Sequence, residues 1–428
     1  MRFYADLHIH SRFSRACSKK LTLSEIYRWC QYKGIKLIGT ADFTHPEWRK
    51  EIQDQLEEAE EGLFRLKKPY ADEIDRTLPA SCKSEVRFML SVEISLIYKR
   101  DDKVRKIHHV ILMPDISSVD LLVSELEKIG NLKSDGRPIL GLDSRDLLDI
   151  VMSVNEKALF IPGHIWTPWF SLFGDKSGFD SLEECFGDKK KYIYAIETGL
   201  SSDPKMNWMI SELDDLAIVS NSDAHSADKI AREATIFNCE LNYGEIRNAI
   251  IHNDERLEGT IEFFPEEGKY HYDGHRACDI QLDPKETEKL DAICPKCKKR
   301  LTVGVLNRVC KLASKNSDRK NKNAKQYFSV IPFKEVLSEI LGKGVQTKTV
   351  AEEFSKVVSK FGNELSIALD VPIRELATHS SLLAEAIKRM REGNIHILPG
   401  YDGVFGEITI FDDKEKETLD KQDQITLV

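Results

Sequence analysis

The sequence has 428 residues, 41% hydrophobic and 31% charged, with a formal net charge of -9. That length exceeds one average domain and predicts two or three, with enough chain for a large core. The balance excludes a disordered chain, no apolar stretch approaches the ~20 residues of a bilayer span, and the acidic total excludes an all-over basic nucleic-acid coat while leaving room for a local basic groove.

The chain opens on "RFYADLHIH", a short strand that ends with His8 and His10. Alternate strand residues share a face, so an H-x-H pair aims two imidazoles at one spot. Strand-like runs then follow in order: "IKLIGTAD", "RFMLSVEIS", "IHHVILMP", "ALFIPGHI", "YIYAIETG" and "LAIVSNSDAH". Helix-like segments such as "LTLSEIYRWCQYKG" and "SRDLLDIVMSV" lie between them. This alternation predicts an α/β fold, and a βα-barrel rather than an open sheet, because each strand run ends in a polar or ionisable residue, as at the catalytic face of a barrel.

From Gly268 to Leu312 the apolar runs vanish and Gly, His, Cys and charged residues dominate, predicting a small insert without its own core. The basic stretch "ASKNSDRKNKNAKQYF" reads as a linker. After it, "PFKEVLSEILG", "TVAEEFSKVVSKFG" and "SSLLAEAIKRMREG" are helical. The expected division is a catalytic barrel over 1–264, a zinc-binding unit over 265–312 and a helical unit over 313–428.

The strand ends collect a ligand-like set. His8, His10, Asp42, Glu93, His108 or His109, His164, Glu197, Asp223 and His225 all close a strand run. Each alone has an ordinary structural explanation, but burying so many ionisable groups together without metal is prohibitively costly. The donors suit Zn2+, Mn2+ or Fe2+, and their number exceeds what one ion needs, so two or three ions are expected. His108 and His109 are neighbours on one strand and face opposite ways; the pattern alone leaves both open. In the insert, His275-x2-Cys278 and Cys294-x2-Cys297 predict a closed, structural Zn2+ site, with His271 an alternative to His275 and Cys310 a packed residue. Nine cysteines used as thiols or ligands, and an N-terminus unlike a secretion signal, predict a cytoplasmic protein.

H-x-H after the first strand, a carboxylate after the second, then Glu93, two more His positions and the closing "SDAH" resemble the polymerase-and-histidinol-phosphatase (PHP) superfamily. The resemblance implies a distorted βα-barrel, a trinuclear metal site and phosphoester hydrolysis, and it favours His108 over His109. Many members place a His after the second-strand Asp; this chain has Phe43 there, and His45 is displaced from that position.

The segments "SDGRPILGLDSRDLLDIV", "GHIWTPWFSLFGDKSGFDSLEECFGD", "NSDAHSADKIAREATIF", "KFGNEL" and "ILPGYDGVFGEITIF" narrow the resemblance to the endonuclease Q family over nearly the whole chain. That implies cleavage 5′ to uracil, hypoxanthine, xanthine or an abasic site. Its cofactors would be two or three divalent ions (Zn2+, Mn2+ or Mg2+) and one structural Zn2+, and its substrate double- or single-stranded DNA in the nucleoid. Replication or repair proteins are expected partners, with no membrane. Asp223, His225 and His164 are the expected catalytic members. Trp166, Trp169 and Phe170, beside His164, are candidates to stack on an extruded base, and the basic runs at 296–300 and 317–322 are candidates for phosphate contact. The competing readings are a small-molecule phosphoesterase of the histidinol-phosphatase kind, which leaves the insert and tail unexplained, and a non-catalytic DNA-binding module, which the retention of so many ligand-type residues argues against.

Overall fold

The computed structural model describes residues 1–314 and 321–412, together with Glu415. Strand Arg2–Asp6 leads into helix Leu23–Lys33 and then strand Ile35–Gly39, which pairs with the first in parallel. The helix begins where the Thr22 side chain accepts the Glu25 N–H and stops at Gly34, whose φ of 93° suits glycine. Leu23, Ile26, Tyr27 and Cys30 form its buried stripe at helical spacing.

The next two strand runs depart from strict alternation. Arg87–Arg100 and Lys103–Met113 form one long antiparallel hairpin, paired from Leu90↔Met113 to Arg100↔Lys103. Its turn residues Asp101 and Asp102 both have positive φ, as a two-residue hairpin loop requires. A continuous run of β-branched and aromatic residues with no helical period leaves no crossover helix here.

Lys103–Met113 pairs with Leu159–Pro162, Ala195–Glu197 with Ala217–Val219, and Ala234–Asn238 returns antiparallel to both Arg2–Asp6 and Leu257–Glu262. Hydrogen bonds from Ile165 N–H to Glu197 O (3.2 Å) and from Ser220 N–H to Thr235 Oγ1 (2.9 Å) join the small pair to its neighbours. The result is the expected distorted βα-barrel. An apolar cluster drawn from every side, including Leu7, Leu37, Met89, Val110, Ile161, Ala195 and Val219, fills it and continues into helix Tyr243–His252. The ionisable residues are thereby gathered where the strand runs end.

The insert carries the hairpin Asp273–His275/Ile280–Leu282 and the helices Pro284–Lys289 and Val305–Leu312. Buried Arg308 ties it to the barrel by donating to Phe173 O (2.9 Å) and Phe179 O (3.0 Å). Gln326–Ser329 then adds to the barrel sheet beside Leu257–Glu262. Helices Phe333–Leu341, Lys348–Phe361, Glu364–Leu369, Ile373–Leu376 and Ser381–Glu392 follow; the first two and the last stand where the sequence placed them, and the two short ones between were not read from it. They share the large apolar core with the barrel and reach its first helix through a buried Lys33–Glu364 ion pair (2.8 Å) and the Trp29–Phe354 contact. A last hairpin, His396–Leu398/Glu407–Thr409, returns to the insert. Among the described residues no helix is long and apolar enough to cross a membrane.

Candidate metal centre

His8 and His10 leave the first strand with both rings buried and are held by the same device. Glu197 lies 3.0 Å behind His8 Nδ1, and Asp42 Oδ1 lies 3.4 Å from His10 Nδ1. A carboxylate on Nδ1 sets the tautomer and leaves Nε2 free to ligate. The Nε2 of His10 points at Asp223 Oδ1 (2.9 Å) and Glu93 Oε2 (3.3 Å), and that of His8 at Glu93 Oε2 (3.5 Å). The buried His8 Nε2 has no hydrogen-bond partner.

The backing carboxylates are themselves committed. Asp42 Oδ2 accepts from Ser11 N–H and Oγ and from Ser14 Oγ at 2.6–2.8 Å. Glu197 accepts from Asn221 Nδ2 and His164 N–H, each at 2.8 Å. Gly136 is required beside them, since a Cβ there would lie 2.2 Å from Asp42 Oδ2. Asp6, fully buried, takes the N–H groups of Ser222 and Ala231 and so shapes the "SDAH" loop.

Glu93 is the hub. Its Oε1 lies 2.5 Å from His108 Nδ1 and 3.1 Å from His164 Nε2, and Arg137 Nη1 reaches its Oε2 at 3.0 Å. Two donor groups therefore share one carboxylate: His8, His10, Glu93 and Asp223 on one side, and Glu93, His108 and His164 on the other, the chosen atoms of each lying within 4.8 Å of one another. Asp42, His164 and Asp223 have φ values of 41°, 28° and 47°, left-handed backbone that non-glycine residues seldom adopt. Strain of that kind collects at sites where geometry is overdetermined.

The electrostatics fit divalent cations. Burial disfavours charge on His8, yet Glu197 and Glu93 outweigh it and hold its pKa well above the usual imidazole range. Burial likewise opposes ionisation of Asp223, but His10 and His8 pull its pKa far down. His108, where burial dominates and Glu93 only partly compensates, falls to about 4. Asp223, with 23% of its side chain exposed, marks the side open to solvent. Behind the cluster is a second acidic pair: Ala234 faces Ile261, which sets Glu233 opposite Glu262, both fully buried. Burial pushes the Glu262 carboxyl up to about 8.

The structure sorts the remaining candidates. His109 pairs across the hairpin on the opposite face from Glu93 and His108; its Nε2 meets Ser144 Oγ at 2.9 Å and its ring packs on Phe160, so it is outside the cluster. Glu197 and Asp42 stand behind the histidines rather than among the grouped donors. His225 sits at the lip, its ring 4.5 Å from that of His10 and its Nδ1 2.9 Å from Asp223 O. Phe43 is core, and His45 stacks on Phe13 away from the cluster. Trp166 is buried, donates to Asn207 Oδ1 (2.8 Å) and packs on Phe173, which removes it from the stacking candidates. Trp169 is exposed, and Phe170 lies against His108 with ring centres 4.8 Å apart. Arg137, Ser11, Ser14 and Asn221 were not anticipated; the last three are polar residues in loops after strands and Arg137 stands just before the short strand Ile139–Leu140, features that many unrelated loops share.

In the insert, His275, Cys278, Cys294 and Cys297 converge as expected, with Cys297 Sγ 3.3 Å from His275 Nδ1. His271 is buried elsewhere, stacked on Tyr272. Cys310 is exposed, not packed. The 296–300 run is exposed apart from Cys297, whereas 317–320 lie outside the described residues.

Fold and site place the chain in the class of PHP-type metalloenzymes. The MJ0043 C-terminal domain family model matches residues 332–394, the helical tail. The chain is 35% identical over 272 residues to the uncharacterised protein MJ0043 of Methanocaldococcus jannaschii, covering 33% of that protein. It is 28% identical to the uncharacterised protein YqxK of Bacillus subtilis over 95% of this chain and 99% of that one. Among solved structures, the lesion-specific endonuclease PfuEndoQ of Pyrococcus furiosus superposes with a TM-score of 0.83 at 30% identity, covering 96% of both chains. An endonuclease Q complex with a 27-mer duplex bearing an abasic lesion at the active site superposes at 0.82 and 30% identity, covering 97% of this chain and 98% of that one. The chain belongs to the endonuclease Q family.

Proposed function

We propose that this protein is a DNA-repair endonuclease that hydrolyses the phosphodiester 5′ to uracil, hypoxanthine, xanthine or an abasic site, with two or three divalent ions in the barrel and one structural Zn2+ in the insert. The observation that carries the multi-ion reading is Glu93 standing between two histidine-rich donor groups. His8, His10, Glu93 and Asp223 would hold one ion and Glu93, His108 and His164 another, with Asp42, Glu197 and His225 supporting them. When bound, such ions supply Lewis-acid stabilisation of the phosphate and lower the pKa of a water.

The chain's own residues supply positioning. Glu197 and Asp42 lock the rings of His8 and His10, and Arg137 puts a fixed positive charge at the partly exposed edge, suited to a phosphate oxygen. Hydrolysis by water leaves a 3′-hydroxyl and a 5′-phosphate on the damaged nucleotide, so no protein nucleophile is needed. The abasic-lesion duplex held by a relative supports DNA as the substrate, and exposed Trp169 with Phe170 remain the base-stacking candidates. The proposed division is 1–264, 265–312 and 313–428, and the nucleoid, where the substrate lies, is the proposed location.

The test incubates the protein and Mn2+ or Mg2+ with end-labelled duplexes carrying one uracil or abasic site, beside an undamaged duplex and p-nitrophenyl phosphate. A single cut 5′ to the lesion is expected. Hydrolysis of p-nitrophenyl phosphate alone, a 3′-phosphate product or a covalent protein-DNA adduct would overturn the reading.

A further inference from the structure

The hairpin after the last helix holds three large apolar side chains in water: Ile397 at 39% exposure, Leu398 at 64% and Phe405 at 68%. Single exposed apolar residues need no explanation, but three on one short hairpin do. The loop 399–406 that presents Phe405 is fastened to the insert at many points. Gly400 N–H bonds Glu266 O (2.7 Å), Tyr272 N–H bonds Gly400 O (2.9 Å), Gly403 N–H bonds Lys269 O (2.9 Å) and Gly406 N–H bonds Glu267 O (3.0 Å). Tyr401 Oη adds a bond to Asp279 (2.9 Å). A Cβ on Gly406 would lie 2.1 Å from Glu266 O and one on Gly400 2.4 Å from Gly268 O, so both positions require glycine for the backbones to approach. Phe405 is thus an exposed ring on a rigid mount.

A relay of neighbouring residues runs from the mount toward the candidate metal centre. Lys269 Nζ lies 4.5 Å from the centre of the Phe405 ring. Lys269 also lines a cavity of about 170 Å³ with Trp169 and Tyr270, whose rings meet edge to face at 5.7 Å, and the next residue, Phe170, touches His108. An apolar ring beside a lysine matches a double helix, whose base steps accept apolar wedges and whose phosphates attract cations.

We infer that Phe405 is a wedge that enters the base stack of duplex DNA beside the lesion, with Lys269 placed to meet the flanking phosphate. This rests on the DNA reading above. Extruding a nucleotide leaves a gap in the stack, and a ring already fixed in place fills it without further ordering.

The test compares wild type, Phe405→Ala, Phe405→Trp and, as a control on a distant helix, Leu121→Ala, which also removes an exposed apolar side chain. Single-turnover cleavage is measured on an abasic duplex and on the same strand unpaired, with 2-aminopurine fluorescence beside the lesion as a second readout. Phe405→Ala should slow duplex cleavage by about tenfold to a hundredfold, the range of a lost stacking contact, with a loss at least about fivefold smaller on the unpaired strand and a weaker fluorescence rise on binding. Phe405→Trp should retain duplex cleavage, and Leu121→Ala should match wild type. Equal loss on both substrates, or none on the duplex, overturns the wedge while leaving the endonuclease reading in place. Failure of wild type to cut either lesion substrate overturns both.

Discussion

Asp223→Asn removes one charge from the most exposed position of the cluster while keeping the side chain's shape. Free metal at a hundredfold above its Kd stabilises a folded protein by about 2.7 kcal/mol, which at about 2 °C per kcal/mol for a folding unit of about 250 residues, the size of the barrel, is a Tm rise of about 5 °C. Losing even an outer-shell partner weakens metal affinity by about 10–100-fold. A hundredfold loss leaves the site half occupied and the gain at about 0.4 kcal/mol, or a rise of about 1 °C. Without metal the variant should melt close to wild type, because losing the His10 contact is offset by relief of repulsion from Glu93. Scanning calorimetry with and without Mn2+, paired with cleavage of a uracil duplex, should show the metal-dependent rise nearly gone and cleavage down at least about a hundredfold. A variant that keeps the full rise and cuts normally would refute the ligand assignment.

The hairpin register separates two adjacent histidines: His108→Gln should cut cleavage by at least about a hundredfold, whereas His109→Gln, altering a ring packed on Phe160, should lower Tm yet cleave within about twofold of wild type. Cys294→Ser should release one zinc equivalent by mass spectrometry and loosen the insert, and the lost activity should return in part at higher protein concentration, which would not happen for Asp223→Asn. Burial raises the Glu262 carboxyl to about 8, above its unfolded value near 4.5, so the folded state holds the extra proton and stability falls as pH rises from about 4.5 through about 8. Glu262→Gln, neutral at every pH, should flatten that slope, and its Tm advantage over wild type should grow across this window; an unchanged pH profile would count against the buried pair.

Most of the site was legible because its donors stand at strand ends, a position that the alternation of apolar runs and polar stops marks locally. The convergence of His275, Cys278, Cys294 and Cys297 was legible from paired spacings in a stretch too poor in apolar residues to hold itself together. What escaped depends on partners far away in the chain. Trp166 and Trp169 are three residues apart in the same kind of sequence, and only Asn207 and Phe173 make one of them core. Glu197 reads as a ligand until His8 and His164 N–H are seen to occupy it. The antiparallel pairing of the two runs in the 87–113 hairpin was not legible, because apolar runs record burial, not the direction of the neighbour.

That same hairpin has a bearing on how the active site matures. Glu93 and His108 meet within one local element, which needs only a short loop to close. By contrast the contact of His10 with Asp223 joins positions 213 apart, and that of His8 with Glu197 spans 189. Loop-closure entropy sets the order in which such contacts form. During synthesis one half of the donor cluster can assemble early, but the other waits until the "SDAH" loop has emerged and docked. A hydrolase built this way is inert as a nascent chain, and its reactivity switches on only when the barrel closes.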